Sequence, residues 1–229
     1  MNVTIKLLDE SYIEHYENFL KSQEYSLLYY CNSFRMLLEK YVGCETYYFI
    51  ALNNEGEIIG VFPLAVYNSI AFGKVANSLP FYGSNGGVLL EDKLSSEEEN
   101  IVISSLTDYV LRLIEEQKCI AATFISNPFI DTVENWFEIH LEYDFVDYRI
   151  GQITSLPADS ENLEEDLLQL YDNPRPRNIR KAIKSGITIR FSKEKKDLDF
   201  LFKVHSDNIN FIGGKAKEYQ FFLDVYDVM

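Results

Sequence analysis

The chain has 229 residues, 47% of them hydrophobic, which is enough to bury a sizeable core in one large domain or two small ones. Its 21 Lys and Arg against 36 Asp and Glu give a formal net charge of −15, and this argues against general DNA binding because a polyanion is repelled by an acidic protein. The N-terminus does not resemble a signal peptide, no window approaches the ~18 apolar residues of a membrane span, and the three cysteines form no C-x-x-C pair. We therefore expect a cytoplasmic protein with reduced thiols, no membrane span and no metal site.

The first third of the chain predicts a sheet with two helices. A strand at residues 3–8 is followed by a helix that Ser11 and Glu14 are expected to start as a capping box. The segment "CNSFRMLLEKYVG" predicts a second helix ending at Gly43. In "TYYFIALNNEGEIIGVFPLAVYNS", two apolar runs flank a turn rich in Asn and Gly, which is typical of a β-hairpin.

The middle of the chain predicts more strands and a long helix. Short strands are expected near residues 74–79 and 87–90, and a helix from Ser95 to about Gln117 has an acidic first turn. The run "CIAATFIS" is typical of a central strand. The segment "DTVENWFEIHLEY" predicts a helix, and "FVDYRIGQITSL" predicts extended chain.

The chain changes character near Pro157, which indicates a joint between two domains, 1–157 and 158–229. An acidic helix, a basic helix, a strand "GITIRFS" and two helices near 197–211 and 217–228 are expected beyond it. The order of elements predicts a mixed α/β fold. The strongly apolar "YQFFLDVYDVM" suggests that the chain is shorter than its fold requires, or that its last helix forms a homodimer through Phe221, Phe222 and Leu223.

A basic stretch, "NPRPRNIRKAIKSG", is the most unusual feature of this acidic chain. No acidic residue occurs from Asn173 to Ser192, although six cations do: Arg175, Arg177, Arg180, Lys181, Lys184 and Arg190. On a helix ended by Gly186, one cationic face forms at positions i, i+3, i+4 and i+7, comprising Arg177, Arg180, Lys181 and Lys184. Ile179, Ala182 and Ile183 would form the opposite, buried face. The face is either a solvated surface or a site for an anion such as a diphosphate, a nucleotide or an RNA end.

A glycine-rich segment, "FGKVANSLPFYGSNGGVL", is the second candidate. It lacks the G-x-x-x-x-G-K-[ST] pattern of a P-loop. It is either a hairpin with turn glycines or one wall of a substrate cleft, since glycine lets backbone approach a ligand closely. The residues proposed to border that cleft are Tyr82, Gly83, Asn85, Gly86 and Gly87, with Phe81 beside them.

His205 and Asn208 form a weaker candidate, because they share a helix face at i, i+3 and a single histidine is usually structural. No spacing typical of a Ser-His-Asp triad, a zinc site or a carboxylate pair is recognisable. Acidic residues are too numerous for the sequence to single out a general base, so the catalytic residue is left open.

Together these segments resemble the FemABX-like branch of the GNAT acyltransferase superfamily. The resemblance is carried by "NSLPFYGSNGGVL", a long helix and a β run, then "RPRNIRKAIKSGITIR" and "VHSDNINFIGGKAKEYQFF", in matching order across nearly the whole chain. The opening "YSLLYYCNSFRMLLEKYVGCETYYFIALNNEGEIIGVFPL" is also similar to that family's first sheet. The pattern R-x-x-I-R-K-A-x-K-x-G is its most specific part.

The resemblance implies two GNAT-like α/β domains, each with a central mixed sheet flanked by helices, the second only begun in this chain. It also implies transfer of an acyl or aminoacyl group onto an amine of a cell-wall or surface-polysaccharide precursor. The donor would be aminoacyl-tRNA or acyl-CoA, with no tightly bound cofactor, and the acceptor would be a nucleotide-linked or lipid-linked diphosphate sugar. Arg177, Arg180, Lys181 and Lys184 would then contact the acceptor diphosphate or the donor.

Two other functions stay open at this point. An acetyl-CoA-dependent GNAT N-acetyltransferase would need a glycine-rich pyrophosphate turn of the Q/R-x-x-G-x-G/A type, which the sequence lacks. A non-catalytic binding module is the other alternative, because members of the family are considerably longer than this chain.

Overall fold

The computed structural model describes residues 1–78, 86–127, 129, 136–148, 154–157 and 161–229. The chain divides into two compact units, Met1–Val146 with Lys217–Met229, and Asp147–Ala216. This division differs from the predicted domains 1–157 and 158–229, because the first unit ends earlier and residues 217–229 return to it. That the second unit is a partial GNAT-like domain stays a prediction.

The first unit is built on a mixed six-stranded sheet, as the sequence predicts. The strands are β1 (Thr4–Leu7), β2 (Glu45–Leu52), β3 (Ile58–Ser69), β4 (Gly73–Asn77), β5 (Leu89–Leu90) and β6 (Ala121–Thr123). Their order is β1-β2-β3-β4-β6, and β5 pairs with β3. All of these pairings are antiparallel except that of β4 with β6, which is parallel.

Helices flank this sheet and make up the regular structure of the second unit. In the first unit they are α1 (Ile13–Ser22), α2 (Asn32–Val42), α3 (Ser96–Glu116), α4 (Trp136–His140) and α8 (Tyr219–Val228). In the second they are α5 (Leu163–Gln169), α6 (Arg175–Lys184) and α7 (Lys196–Phe211). None of the helices in the described ranges is long and apolar enough to cross a membrane.

The central strands β2 and β3 are buried on both faces of the sheet, because they are apolar at successive positions. In β2, Tyr48 and Ile50 pack with residues of α1, whereas Phe49 and Ala51 pack with residues of α3. Alternate side chains of a strand point to opposite faces. A continuous apolar run therefore supplies side chains that pack on α1 at one face and on α3 at the other. This is why the sequence lacks the alternation of a half-exposed sheet.

Local hydrogen bonds determine where the helices begin and end, and the sequence predicts only some of these caps correctly. Ser95 starts α3 with a capping box: its backbone N–H donates to Glu98 Oε2 at 3.0 Å, and its hydroxyl accepts from the Glu98 N–H. The capping box predicted at Ser11 is wrong, since the Ser11 N–H and hydroxyl both donate to Asp9 instead. Gly43 and Gly186 end α2 and α6 as expected, both at positive φ.

Two expectations about apolar segments are wrong, and two stay predictions. Among the described residues β6 pairs only with β4, so its place as a central strand stays a prediction, as does the extended chain expected at 145–156, whose residues 149–153 lie outside the described ones. "GITIRFS" forms no strand, and no described segment of the second unit is one. No residue of α6 is buried, so Ile179, Ala182 and Ile183 form no buried face.

Helix α8 packs within the first unit against α2. The ring of Tyr41 meets that of Phe221 edge to face at 4.9 Å between centroids. The Asp224 carboxylate pairs with Lys40 and accepts a hydrogen bond from the Tyr41 hydroxyl. Phe221, Phe222 and Leu223 are half-buried rather than exposed, and the homodimer expected through this helix stays a prediction.

The stability that α8 gains from packing on α2 depends on pH, because Asp224 accepts several hydrogen bonds there. Those from Lys40, Tyr41 and Gln220 lower the pKa of this carboxyl to about 2. A depressed carboxyl pKa contributes stability that is present above the unfolded value near 3.8 and lost as the pH falls toward 2. We expect Asp224→Asn to lower the melting temperature at pH 7, and we expect that difference to shrink below about pH 4.

The measurement is thermal unfolding from pH 7 downward, with Asp108→Asn as the matched control. Asp108 is exposed on α3 and makes no ion pair within the described residues. An Asp224→Asn curve that stays parallel to that of the unsubstituted chain at every pH would contradict the assignment.

Candidate active site

The predicted glycine segment lies in sequence between two strands that share one edge of β3. Both β4 and β5 pair with that edge, Asn77 lying opposite Ala65 and Leu89 opposite Val61. Ser78 directly follows β4, and Gly86 to Val88 directly precede β5. Of the predicted site residues here, Tyr82, Gly83 and Asn85 lie outside the described residues, as does Phe81.

The fold requires glycine at position 87, just before β5. Its φ is +94°, and a Cβ atom there would lie 2.7 Å from the Ile125 carbonyl oxygen and 3.1 Å from the ring of Phe137. Any side chain would therefore meet both a strained backbone conformation and a clash. The predicted close backbone approach is real at this position, but its partner is the chain's own backbone and the ring of Phe137.

Ser78 joins the ends of the two parallel strands. Its backbone N–H donates to the Thr123 carbonyl at 3.0 Å, and its buried hydroxyl accepts from the Ile125 N–H at 2.8 Å. The segments after β4 and β6 are thereby held together at the carboxyl ends of both strands. In open α/β sheets, ligands bind outside those ends.

A cavity of about 410 Å³ lies beside these segments, within the first unit. This volume lies within the range of small-molecule sites. Its walls come from five parts of the chain: Glu24 and Tyr25 after α1; Gly86, Val88, Leu89, Leu90, Glu91 and Asp92; Glu99 and Ile103 of α3; Ser126 and Asn127 after β6; and Phe137 of α4. Gly86 is thus one of the predicted residues that the structure does place at a cavity.

The lining is negatively charged. Four acidic residues line it, Glu24, Glu91, Asp92 and Glu99, while no Lys, Arg or His does so among the described residues. In the searched part of the chain no group of three or more His, Cys, Asp or Glu could hold a metal ion. The arrangement therefore favours an organic cation, such as a protonated amine, over an anion.

Hydrogen bonds fix the position of this wall. Asn127 is 4% exposed, its amide donates to the Tyr25 carbonyl at 2.8 Å, and its Oδ1 accepts from the Phe129 N–H at 3.0 Å. The Asp92 N–H donates to Gln23 Oε1 at 3.0 Å, and Asp92 Oδ2 accepts from the Glu24 N–H at 3.3 Å. These bonds hold polar atoms in place without a ligand, as a preorganised site requires.

The basic stretch forms the predicted helix α6, in the second unit. All four residues of the cationic face are exposed. Arg180 is engaged, because its Nη2 lies 2.8 Å and 3.0 Å from the two carboxylate oxygens of Glu165. Arg177, Lys181 and Lys184 have no ion pair within the described residues. Anion binding by this face stays a prediction, with one of its four cations already paired.

The weaker candidates lie on α7, also in the second unit. His205 is half-buried and Asn208 is exposed, at the predicted helical spacing. A catalytic role for this pair stays a prediction.

Sequence reasoning missed most of the cavity. Glu24, Asp92 and Glu99 lie far apart in a chain with 36 acidic residues, so no local spacing marks them. Asn127 had a usable signal, since it is a polar residue just after the apolar run that forms β6. Polar residues at the carboxyl ends of parallel strands are frequent site residues.

Comparison with known proteins finds likeness in structure alone. The chain matches no model of a protein family and no curated protein. The solved structure of FemX superposes on 99% of this chain with a TM-score of 0.68 and 15% identity. A ribosomal-protein-alanine N-acetyltransferase from Brucella melitensis biovar Abortus 2308 covers 66% of the chain, with a TM-score of 0.46 and 14% identity. A putative acetyl transferase from Pyrococcus furiosus covers 66% as well, with a TM-score of 0.42 and 17% identity.

The likeness to FemX shows a shared fold. It confirms the predicted mixed α/β class with a mixed sheet flanked by helices. This chain spans 55% of the FemX chain, whereas it covers 100% of both acetyltransferases. At identities this low, shared structure does not transfer a substrate.

The Ser78 hydroxyl supports the cavity wall, and removing it tests that role. We expect Ser78→Ala to lower the free energy of unfolding by about 1–3 kcal/mol, because the Ile125 N–H loses the buried Ser78 hydroxyl as its acceptor. The measurement is urea unfolding. The control is Ser105→Ala, whose hydroxyl donates to the Ile101 carbonyl in α3 and should cost less than about 0.5 kcal/mol. Equal losses in the two variants would show that Ser78 has no special structural role.

Proposed function

We propose that this chain belongs to an acyltransferase or aminoacyltransferase of the FemABX-like kind. It would transfer an acyl or aminoacyl group to an amine of a cell-wall or surface-polysaccharide precursor. The observation that carries the proposal is the acid-lined cavity at the carboxyl ends of β4 and β6, in a fold shared with FemX. The sequence resemblance described above supports the same conclusion from different residues.

The charge of the cavity suits an amine acceptor. A primary amine arrives mainly protonated at neutral pH, and the carboxylates of Asp92 and Glu99 attract that ammonium ion. The amine must lose a proton before it attacks, and a carboxylate within hydrogen-bond reach or a water molecule can accept it. The site thus combines binding with a route for the proton.

The transfer itself follows from simple nucleophilic chemistry. The neutral amine nitrogen forms a bond to the acyl carbon, and the bond from that carbon to the ester oxygen of aminoacyl-tRNA or the thioester sulfur of acyl-CoA breaks. The nitrogen gives up one further proton, and the departing oxygen or sulfur gains one. Positioning of the amine within the cavity supplies much of the rate advantage in such reactions.

The cationic face of α6 is proposed to bind the diphosphate of the acceptor. Arg177, Lys181 and Lys184 are exposed and carry no ion pair within the described residues, and arginine forks match phosphate oxygens. The acceptor is a nucleotide-linked or lipid-linked diphosphate sugar, and the protein is proposed to act in the cytoplasm.

Acceptor binding gives the first test. We expect a uridine diphosphate sugar that bears a primary amine to bind more tightly than the same sugar acetylated at that amine. Glu99→Gln should reduce the affinity for the amine by about three- to fivefold, the size of a partly exposed charge pair. Isothermal titration calorimetry at low ionic strength measures both effects.

Glu97→Gln is the matched control. It removes the same charge from the first turn of α3, but Glu97 does not line the cavity. Equal affinity for the amine and its acetylated form would overturn the amine assignment. A loss in Glu97→Gln as large as that in Glu99→Gln would show a general effect of charge.

Donor choice separates the remaining alternatives. The chain is incubated with the amine sugar and either alanyl-tRNA or acetyl-CoA, and the product mass is measured. Transfer from acetyl-CoA alone would identify a simple N-acetyltransferase. Binding of the sugar without transfer from either donor would favour the non-catalytic binding module.

A further inference from the structure

The α6 cationic face is restrained by one neighbour in its own unit. Glu165 lies in the first turn of α5, and its two oxygens both approach Arg180 Nη2 at 2.8 Å and 3.0 Å. Arg180 occupies the middle of the face, between Arg177 and Lys184. A carboxylate thus occupies the position in which a phosphate oxygen would bind.

We infer that Glu165 competes with the anionic ligand for Arg180 and so sets the affinity of α6 for diphosphate groups. This inference rests on the proposed function only in taking α6 as the anion site. In the free protein the carboxylate satisfies the guanidinium; in the bound protein the guanidinium turns to the phosphate and Glu165 is released to water.

The exposure of the pair makes such an exchange feasible. The side chains of Arg180 and Glu165 are 47% and 57% exposed, so water can solvate the carboxylate once it is released. Exposed ion pairs are weak and easily exchanged. A diphosphate offers more charge and more acceptor oxygens than one carboxylate, and Lys181 and Lys184 on the same face add to its attraction.

The competition also bears on specificity. A monoanionic ligand gains little by displacing a carboxylate of the same charge, whereas a diphosphate gains contacts to three further cations at once: Arg177, Lys181 and Lys184. Glu165 therefore lowers the affinity of the α6 cationic face for singly charged anions and makes the face selective for multivalent ones.

The experiment titrates the intact chain with inorganic pyrophosphate and, separately, with acetate, at fixed low ionic strength. We expect Glu165→Gln to bind pyrophosphate about two- to fivefold more tightly than the unsubstituted chain, corresponding to the loss of an exposed ion-pair competitor. The affinity for acetate should increase by a larger factor than that for pyrophosphate, because competition from Glu165 weakens the binding of a monoanion most.

Two further variants distinguish the effect of the Glu165–Arg180 ion pair from the general effect of negative charge on α5. Glu164→Gln removes the same charge from the same turn of α5, but Glu164 makes no ion pair within the described residues. We expect it to change the affinity less than Glu165→Gln. Glu165→Asp keeps the charge but shortens the side chain, so it should also tighten pyrophosphate binding. Thermal unfolding of each variant checks that it is folded.

The outcomes divide clearly. Equal tightening in Glu164→Gln and Glu165→Gln, or none in Glu165→Gln and Glu165→Asp, would overturn the competition. Absence of pyrophosphate binding in every form would also overturn it, and would remove α6 from the proposed acceptor site. The amine test on the acid-lined cavity is independent, so failure there with tighter pyrophosphate binding here would leave this inference standing.

Discussion

Hydrogen bonding along one edge of β3 determines the layout of the first unit. That edge pairs with β4 near one end and with β5 near the other. Ser78, just after β4, accepts a hydrogen bond from the Ile125 N–H, and Gly87, just before β5, lies close to the Ile125 carbonyl. Both contacts meet at Ile125, which is followed by Ser126 and Asn127 of the acidic cavity.

The sheet is also the part of the molecule that the sequence predicts best. Long apolar runs in β2 and β3 with a glycine-containing turn between them leave few alternatives to a hairpin, and the capping box at Ser95 marks the start of α3. Local prediction failed where tertiary contacts decide. Ser11 has the right spacing for a cap, but its N–H and hydroxyl donate to Asp9 instead. The alternating pattern of residues 187–191 favours a strand but forms none, because strand propensity depends strongly on tertiary context.

The candidate site was predicted less completely, for a different reason. The basic helix is continuous in sequence, so its cationic face follows from helical spacing alone. The cavity is assembled from five separate segments, and its carboxylates resemble the many surface acids of the chain. Only the fold brings Glu24, Asp92 and Glu99 to one wall.

The return of α8 to the first unit has a consequence for how the protein is made. The hydrogen bond between Tyr41 and Asp224 joins residues 183 positions apart, and the whole second unit lies between them in sequence. During synthesis, the surface of α2 that contacts α8 stays exposed until residue 224 has left the ribosome. Contacts of such long sequence separation form late in folding. The first unit, although it contains the N-terminus, is therefore completed after the second unit has been synthesised.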